Sequence, residues 1–328
     1  MKNKWTNDVT VSGYVFNFGN NERRQLKRKV TGENSKNPGQ EYLQGEINIA
    51  TDDDATNVVT VWFQYVPATW PAKGDKPERE NKTFTDLVQL LENGRTYEQY
   101  GTGASKVRIN GEFETNDFFD REGKLASPKR IKGNFVHSLN GNIPSDPATF
   151  KIEGVLTGVS MREVEDGDDY VIVKGYGFNF RNEIMPFEVN VRSQSGMYYF
   201  LDNDYPMVTT VWGNIVSTTV QRKTTVEGAF GDPEVKITES NIRSWDVVNA
   251  SLEKYPLDDD MYDDETITKE YFKKLLQERE NRLAEEKARQ DEYQASRNGK
   301  SAFPIEKKET KNIVEDDEED DDDFDFGF

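Results

Sequence analysis

Residues 9–18 read Val9-Thr10-Val11-Ser12-Gly13-Tyr14-Val15-Phe16-Asn17-Phe18. Alternate residues of a strand point to opposite faces. Val9, Val11 and Val15 therefore share one side, and Thr10, Ser12, Tyr14, Phe16 and Phe18 share the other. The aliphatic side suits a core, and the side that begins with hydroxyls carries three rings. The same pattern recurs at Val59, Val61, Phe63 and Tyr65 against Thr60, Trp62 and Gln64, which predicts that Trp62 faces away from the core. Through residue 250 the chain continues in short segments rich in Val, Ile, Thr and aromatics, broken by Gly, Asn, Asp and Pro. The expected fold is mostly β, built of small barrels. One helix interrupts it at Thr83–Asn93, where Phe84, Leu87, Val88 and Leu91 recur at helical spacing before Gly94.

An internal repeat is expected. Gly13-Tyr14-Val15-Phe16-Asn17-Phe18 returns as Gly175-Tyr176-Gly177-Phe178-Asn179-Phe180, and Val59-Thr60-Val61-Trp62 returns as Thr209-Thr210-Val211-Trp212, in the same order. The second copy puts Lys174, Tyr176, Phe178 and Phe180 on one face, and Thr210, Trp212 and Asn214 on another. Linker composition at Gly141–Pro147 sets the boundary. The expected organisation is a first β-barrel domain over 1–142, a second over 143–257, an acidic hinge with an amphipathic helix over 258–299, and a disordered tail over 300–328.

The helix is expected from Thr266 to about Arg297, a stretch without Gly or Pro that ends before Gly299. Its apolar positions, Ile267, Tyr271, Leu275 and Phe272, Leu276, Leu283, lie in the first half, so that half is expected to dock and the second to be solvated. From Lys300 onward the chain is too polar to bury enough surface to offset its conformational entropy.

Charge is distributed unevenly. The net charge is −19, yet residues 1–140 hold 20 Lys+Arg against 19 Asp+Glu, while residues 315–328 hold 10 Asp+Glu and no cation. An acidic total thus leaves the N-terminal half balanced and able to meet phosphate. Cys is absent, so disulfides, zinc fingers and thiol nucleophiles are excluded, and the single histidine, His137 beside Phe135 and Val136, reads as structural and leaves little for His-based triads or His-ligated metals. Gly101-Thr102-Gly103-Ala104-Ser105-Lys106 lacks phosphate-loop spacing and leads into a strand. Asp52–Asp54 and Asp258–Asp260 read as solvated turns rather than a two-metal nuclease centre. No run of about 18 apolar residues and no secretory leader is seen. The expectation is a non-enzymatic cytoplasmic protein with no cofactor, no metal and no membrane.

What remains is a binding surface. Bases stack on exposed rings with a gain of roughly 1–3 kcal/mol each, whatever their sequence, when a basic groove carries the backbone. Tyr14, Phe16, Phe18, Trp62 and Trp70 are the candidate stacking residues. Arg23, Arg24, Lys27, Arg28, Lys29 and Lys73 are the candidate phosphate contacts. Strand aromatics more often pack in a core, so these rings gain weight only beside the tail. There Asp320, Asp321, Asp322, Asp323, Phe324, Asp325, Phe326 and Phe328 close the chain as a polyanion with aromatic anchors, suited to a partner pocket that is apolar at its base and ringed by Lys or Arg.

The tail resembles that of the single-stranded DNA-binding proteins of bacteria and their phages, which end in an acidic tip closed by Phe. The match is firm over Asp320–Phe328 and loose over 1–140. Phe326-Gly327-Phe328 departs from the Ile-Pro-Phe close of many bacterial members and looks closer to a phage relative. The resemblance implies an OB fold, sequence-tolerant binding of single-stranded DNA in a bacterial cell, and recruitment of replication, recombination or repair proteins through the tail. The second domain, with 10 Lys+Arg against 17 Asp+Glu over residues 141–257, is expected to serve oligomerisation or regulation instead. The rival reading is an acidic chaperone or phage scaffold that binds no nucleic acid.

Overall fold

The structure, a computed structural model, describes residues 5–72, 77–120, 122–164, 168–226, 234–257 and 267–300. The chain runs through β1 (Asn7–Asn17), β2 (Lys27–Val30), β3 (Glu41–Ala50), β4 (Val58–Pro67), β5 (Thr69–Trp70), β6 (Arg79–Glu80), α1 (Lys82–Asn93), α2 (Tyr97–Tyr100), β7 (Lys106–Thr115), β8 (Phe118–Phe119), β9 (Leu125–Ala126) and β10 (Lys129–Ser138). It continues through β11 (Ala148–Arg162), β12 (Tyr170–Phe178), β13 (Ile184–Val191), α3 (Gln194–Leu201), β14 (Met207–Val226), β15 (Glu234–Pro256) and α4 (Lys269–Lys300). Among the described residues no helix is long and apolar enough to cross a membrane.

The backbone pairing closes two rings. β1 pairs with β3, β3 with β4, β4 with β10, β10 with β7, and β7 returns to β1. All are antiparallel except β4–β10. In the second ring β11 pairs with β12, β12 with β13, β13 with β15, β15 with β14, and β14 returns to β11, with β13–β15 the parallel pair. Each ring is a five-stranded Greek-key barrel with a helix between its third and fourth strands, the OB-like connectivity, and closure leaves few free edges. The fold is mostly β, with tandem OB-like barrels followed by a C-terminal helix.

Local chemistry explains the elements. β1 changes partners along its length, from β11 at Asn7–Val11 to β3 at Tyr14–Asn17. Gly13 sits at the change, where a Cβ would come within 2.1 Å of the Ala50 carbonyl oxygen, so only glycine lets the two backbones approach. α1 starts at Asn81, whose side-chain oxygen accepts from the Thr83 amide while its Nδ2 donates to Pro67 O at 2.8 Å. That cap fixes the turn out of β4 and lays Phe84 and Leu87 on the core. Ser193 caps α3 in the same manner and lets Phe200 fill the second barrel.

The two barrels share one apolar core and a strand ladder. β1 runs antiparallel to β11 from Asn7↔Ile152 to Val11↔Ala148. Phe113 of the first barrel lies edge-on to Phe187 at 6.2 Å and to Trp245 at 5.6 Å, and Trp245 also meets Phe150 at 5.1 Å. Aromatic pairs of this kind each contribute about 0.5–1.5 kcal/mol beyond their buried area.

The architecture repeats, but the sequence segments that suggested the repeat are not equivalent. Gly13–Phe18 begins in the first strand of its barrel, whereas Gly175–Phe180 begins in the second strand of the other. Val59–Trp62 lies in a third strand and Thr209–Trp212 in a fourth. Half-buried strands of any position select the same alternating β-branched and aromatic residues, so likeness of pattern does not report likeness of place.

α4 also corrects an expectation. Ile267, Phe272 and Leu275 are buried against Trp5, Phe178, Ile184, Val208 and Leu257, as its first half predicts. Polar contacts add to that apolar stripe in the first half, where Arg279 pairs with Asp117 at 2.8 Å and Arg282 with Glu183 at 3.1 Å. The second half touches the β8–β9 hairpin as well: Lys287 Nζ stands 5.6 Å from the Phe119 ring centre, and Gln290 Nε2 donates to Phe119 O at 3.1 Å. The helix continues past Gly299 to Lys300, the last described residue.

Candidate nucleic-acid interface

The parallel β4–β10 ladder organises the outer face of the first barrel. In β4, Val59, Val61 and Phe63 are buried, and Trp62 stands on the opposite side, half-buried. Register places Glu46 of β3 beside Trp62, Trp62 beside Lys132 of β10, and Lys132 beside Glu112 of β7. A row of acid, ring, base and acid thus crosses four strands.

The cations around the ring are positioned by carboxylates. Lys132 Nζ lies 2.9 Å from Glu112 Oε1, and Arg130 Nε lies 2.7 Å from Glu114 Oε2 with its guanidinium 5.9 Å from the Trp62 ring centre. Arg24 reaches Glu46 at 3.6 Å, and its carbonyl accepts from the Glu46 amide at 2.7 Å. Burial raises the Glu46 carboxyl above its ordinary range, while the charges of Arg24, Arg243 and Arg130 pull the other way. Arg243 belongs to β15 of the second barrel, whose β14 comes alongside β4 where the Ser217 amide donates to Asn57 Oδ1. The indole Nε1–H of Trp62 is buried and has no hydrogen-bond acceptor among the described residues. A buried donor without an acceptor costs about 1–3 kcal/mol.

This arrangement can take a planar apolar group on the ring and an anion from Arg24, Arg130, Lys132 and Arg243. Any anion must compete with Glu46, Glu112 and Glu114.

The residues singled out in the sequence divide between this face and other places. Trp62 and Arg24 meet through Glu46. Tyr14 is 5% exposed, and its hydroxyl donates to Asp53 Oδ1 at 2.9 Å, a bond that raises its pKa. Phe16 stacks on Tyr97 at 6.0 Å, and both rings belong to a satellite cluster closed by α2. Phe18 packs half-buried against the main core. The expectation of three open rings on β1 is corrected, because α2 and the Thr51–Asn57 loop cover Tyr14 and Phe16. Arg23 and Lys27 are exposed, Lys29 is half-buried in β2, and Arg28 is held by Glu92 at 2.7 Å and Glu41 at 3.6 Å. Trp70 is 42% exposed on β5. Lys73 lies outside the described residues, as do the hinge residues 258–265 and the tail residues Asp320, Asp321, Asp322, Asp323, Phe324, Asp325, Phe326 and Phe328.

Arg130, Lys132 and Arg243 were not found from the sequence. The only local signal was the alternation Arg130-Ile131-Lys132, which marks a half-exposed strand without saying what lies beside it. Asp52 is engaged in its own turn, accepting from the Thr56 and Asn57 amides at 2.8 and 2.7 Å. Among the described residues no group of three His, Cys, Asp or Glu side chains is arranged to hold a metal.

Comparison with known proteins gives a family and two structural likenesses. A family model described as YorF matches residues 6–289. No curated protein matches the chain. Among solved structures, the chain is similar to a deletion mutant of the single-stranded DNA binding protein from Thermus aquaticus, at 13% identity and a TM-score of 0.46, over 80% of this chain and 99% of that one. It is similar also to the wild-type protein of the same organism, at 14% identity and a TM-score of 0.43, over 76% of this chain and 93% of that one. With its matched span running from the first strand into α4, the chain belongs to the YorF family.

Proposed function

We propose that this protein is a non-enzymatic binder of single-stranded DNA, sequence-tolerant, with residues 1–142 as the binding domain and residues 143–257 serving oligomerisation or regulation. Residues 300–328 recruit replication or recombination proteins, with Asp320–Phe328 as the docking element. The observation that carries the reading is Trp62 on the outer face of a Greek-key barrel, flanked in register by Lys132 and overlaid by Arg130. A ring supplies stacking that any base satisfies, and adjacent cations supply the salt-sensitive phosphate contacts. The tail reading is supported by composition alone: ten acids and three Phe within residues 315–328.

The test is anisotropy of a labelled oligo-dT titrated at two salt concentrations with the full chain and with a chain ending at Val314. Salt-sensitive binding that tightens on truncation supports the proposal. Absence of binding by both chains supports the acidic chaperone or scaffold reading instead.

A further inference from the structure

Phe180 is the most exposed phenylalanine among the described residues, at 72%, and it is not on the first barrel. It lies in the turn between β12 and β13 of the second. Its neighbours in sequence on the same strand face behave differently: Phe178, two residues earlier, is buried under Trp5, with ring centres 4.0 Å apart.

The turn that carries Phe180 is braced from three sides. Asn179 Oδ1 accepts from the Arg181 amide at 2.9 Å and the Glu183 amide at 3.0 Å, and its Nδ2 donates to Glu183 Oε2 at 2.7 Å. Asn182 takes a left-handed φ of 60°, which Asn tolerates better than most residues. Asn7 Nδ2 of β1 donates to Phe178 O at 3.2 Å, and Arg282 of α4 holds Glu183. A phenylalanine kept in water on a rigid turn has little solvation reason to be there.

Two cations meet its ring. Arg181 stands 5.2 Å from the ring centre, and so does Lys132 at 5.4 Å, the same Lys132 that is the register neighbour of Trp62. Lys132 thus reaches the Phe180 ring of the second barrel with its ammonium, while its backbone pairs with Trp62 of the first.

We infer that Phe180 is a second stacking platform and that a bound single strand passes from Trp62 over Lys132 onto Phe180 and Arg181, crossing from the first barrel to the second. This inference rests on the proposed single-strand binding and assigns its path. Preorganisation by the braced turn lowers the ordering cost that a floppy aromatic would incur on binding.

The experiment uses the full chain with labelled oligo-dT of about six and about thirty nucleotides at one salt concentration, because one barrel of this kind covers roughly 4–16 nucleotides. Phe180→Ala is expected to lower affinity for the long strand by roughly 5- to 150-fold, the equivalent of one lost base stack, and to leave the short strand unchanged. Phe180→Trp is expected to retain long-strand affinity. Equal affinity of wild type and Phe180→Ala for the long strand overturns the path while leaving Trp62 as the site. Wild type that binds neither strand overturns the proposed function, and the path with it.

Discussion

Trp62 and Lys132 stand side by side across the parallel β4–β10 ladder, and the Lys132 ammonium is already held 2.9 Å from Glu112. The outer face of the first barrel is thus a set of paired charges around a ring rather than a bare basic groove. An incoming phosphate must replace a carboxylate at Arg24, Arg130 and Lys132. Affinity on such a face is governed by how easily those carboxylates are displaced.

Glu46 is the first carboxylate to examine, since burial raises its pKa above the ordinary carboxylate value. Protonating it removes its charge and releases Arg24, so oligonucleotide binding is expected to tighten as pH is lowered from 7.5. Glu46→Gln should bind more tightly at pH 7.5, lose the part of the pH response due to this group, and steepen the salt dependence by about 0.7 in log–log slope for one added phosphate contact. A variant with the same slope and the same pH response as wild type removes Glu46 from the interface.

Tyr14 gives the opposite kind of control. Tyr14→Phe removes the hydrogen bond to Asp53 but keeps the ring, and should cost about 0.5–1.5 kcal/mol of stability in urea unfolding with no change in oligonucleotide affinity. If affinity falls while stability holds, the satellite cluster around Tyr97 opens on binding and Tyr14 belongs to the interface after all.

The joint between the barrels is tested by Phe113→Ala. Phe113 is fully buried against Phe187 and Trp245, so its truncation should cost about 3–5 kcal/mol. Because one core spans both rings, unfolding should remain a single transition in calorimetry at reduced temperature. Two separated transitions in wild type would mean that the barrels fold independently.

Lys129 sets the pH dependence of that joint. Its ammonium donates to Glu188 O at 2.5 Å and sits 5.6 Å over Trp245, and loss of water there brings its pKa down from 10.5 to about 8. Between those values the unfolded chain binds the extra proton, so stability rises with pH from about 8 toward 10.5. Tyr205 acts in the reverse sense above pH 10, because burial pushes its pKa up to about 12 and the folded chain then holds the extra proton. Lys129 as a whole remains exposed, so solvent screens the effect and the rise is a modest one. Urea midpoints at pH 7.5 and 9.5 should increase in wild type relative to Lys129→Met; parallel behaviour of the two proteins rules the lysine out.

How much of this was legible follows from which interactions are local. The period of two in β4 put Val59, Val61 and Phe63 inside and Trp62 outside because one face of that strand is buried, and α1 announced itself through Phe84, Leu87 and Leu91. The neighbour of Trp62 could not be read, since Lys132 arrives from 70 residues away through a parallel pairing that no local pattern encodes. Tyr14 was misplaced because its cover, α2, is a single turn of four residues with no periodicity to detect. The contact made by the second half of α4 was invisible for a related reason: Gln290 reads as a solvated amide until the Phe119 carbonyl is brought against it.

The most direct test of the central claim is the affinity of labelled oligo-dT for the full chain carrying Trp62→Ala, compared with wild type and with Trp62→Tyr, each checked for an unchanged melting profile. Loss of about 1–3 kcal/mol in Trp62→Ala, with most of it restored in Trp62→Tyr, is the predicted result. Unchanged affinity in a folded Trp62→Ala chain would contradict the account, since no other ring stands in the row between Glu46 and Lys132.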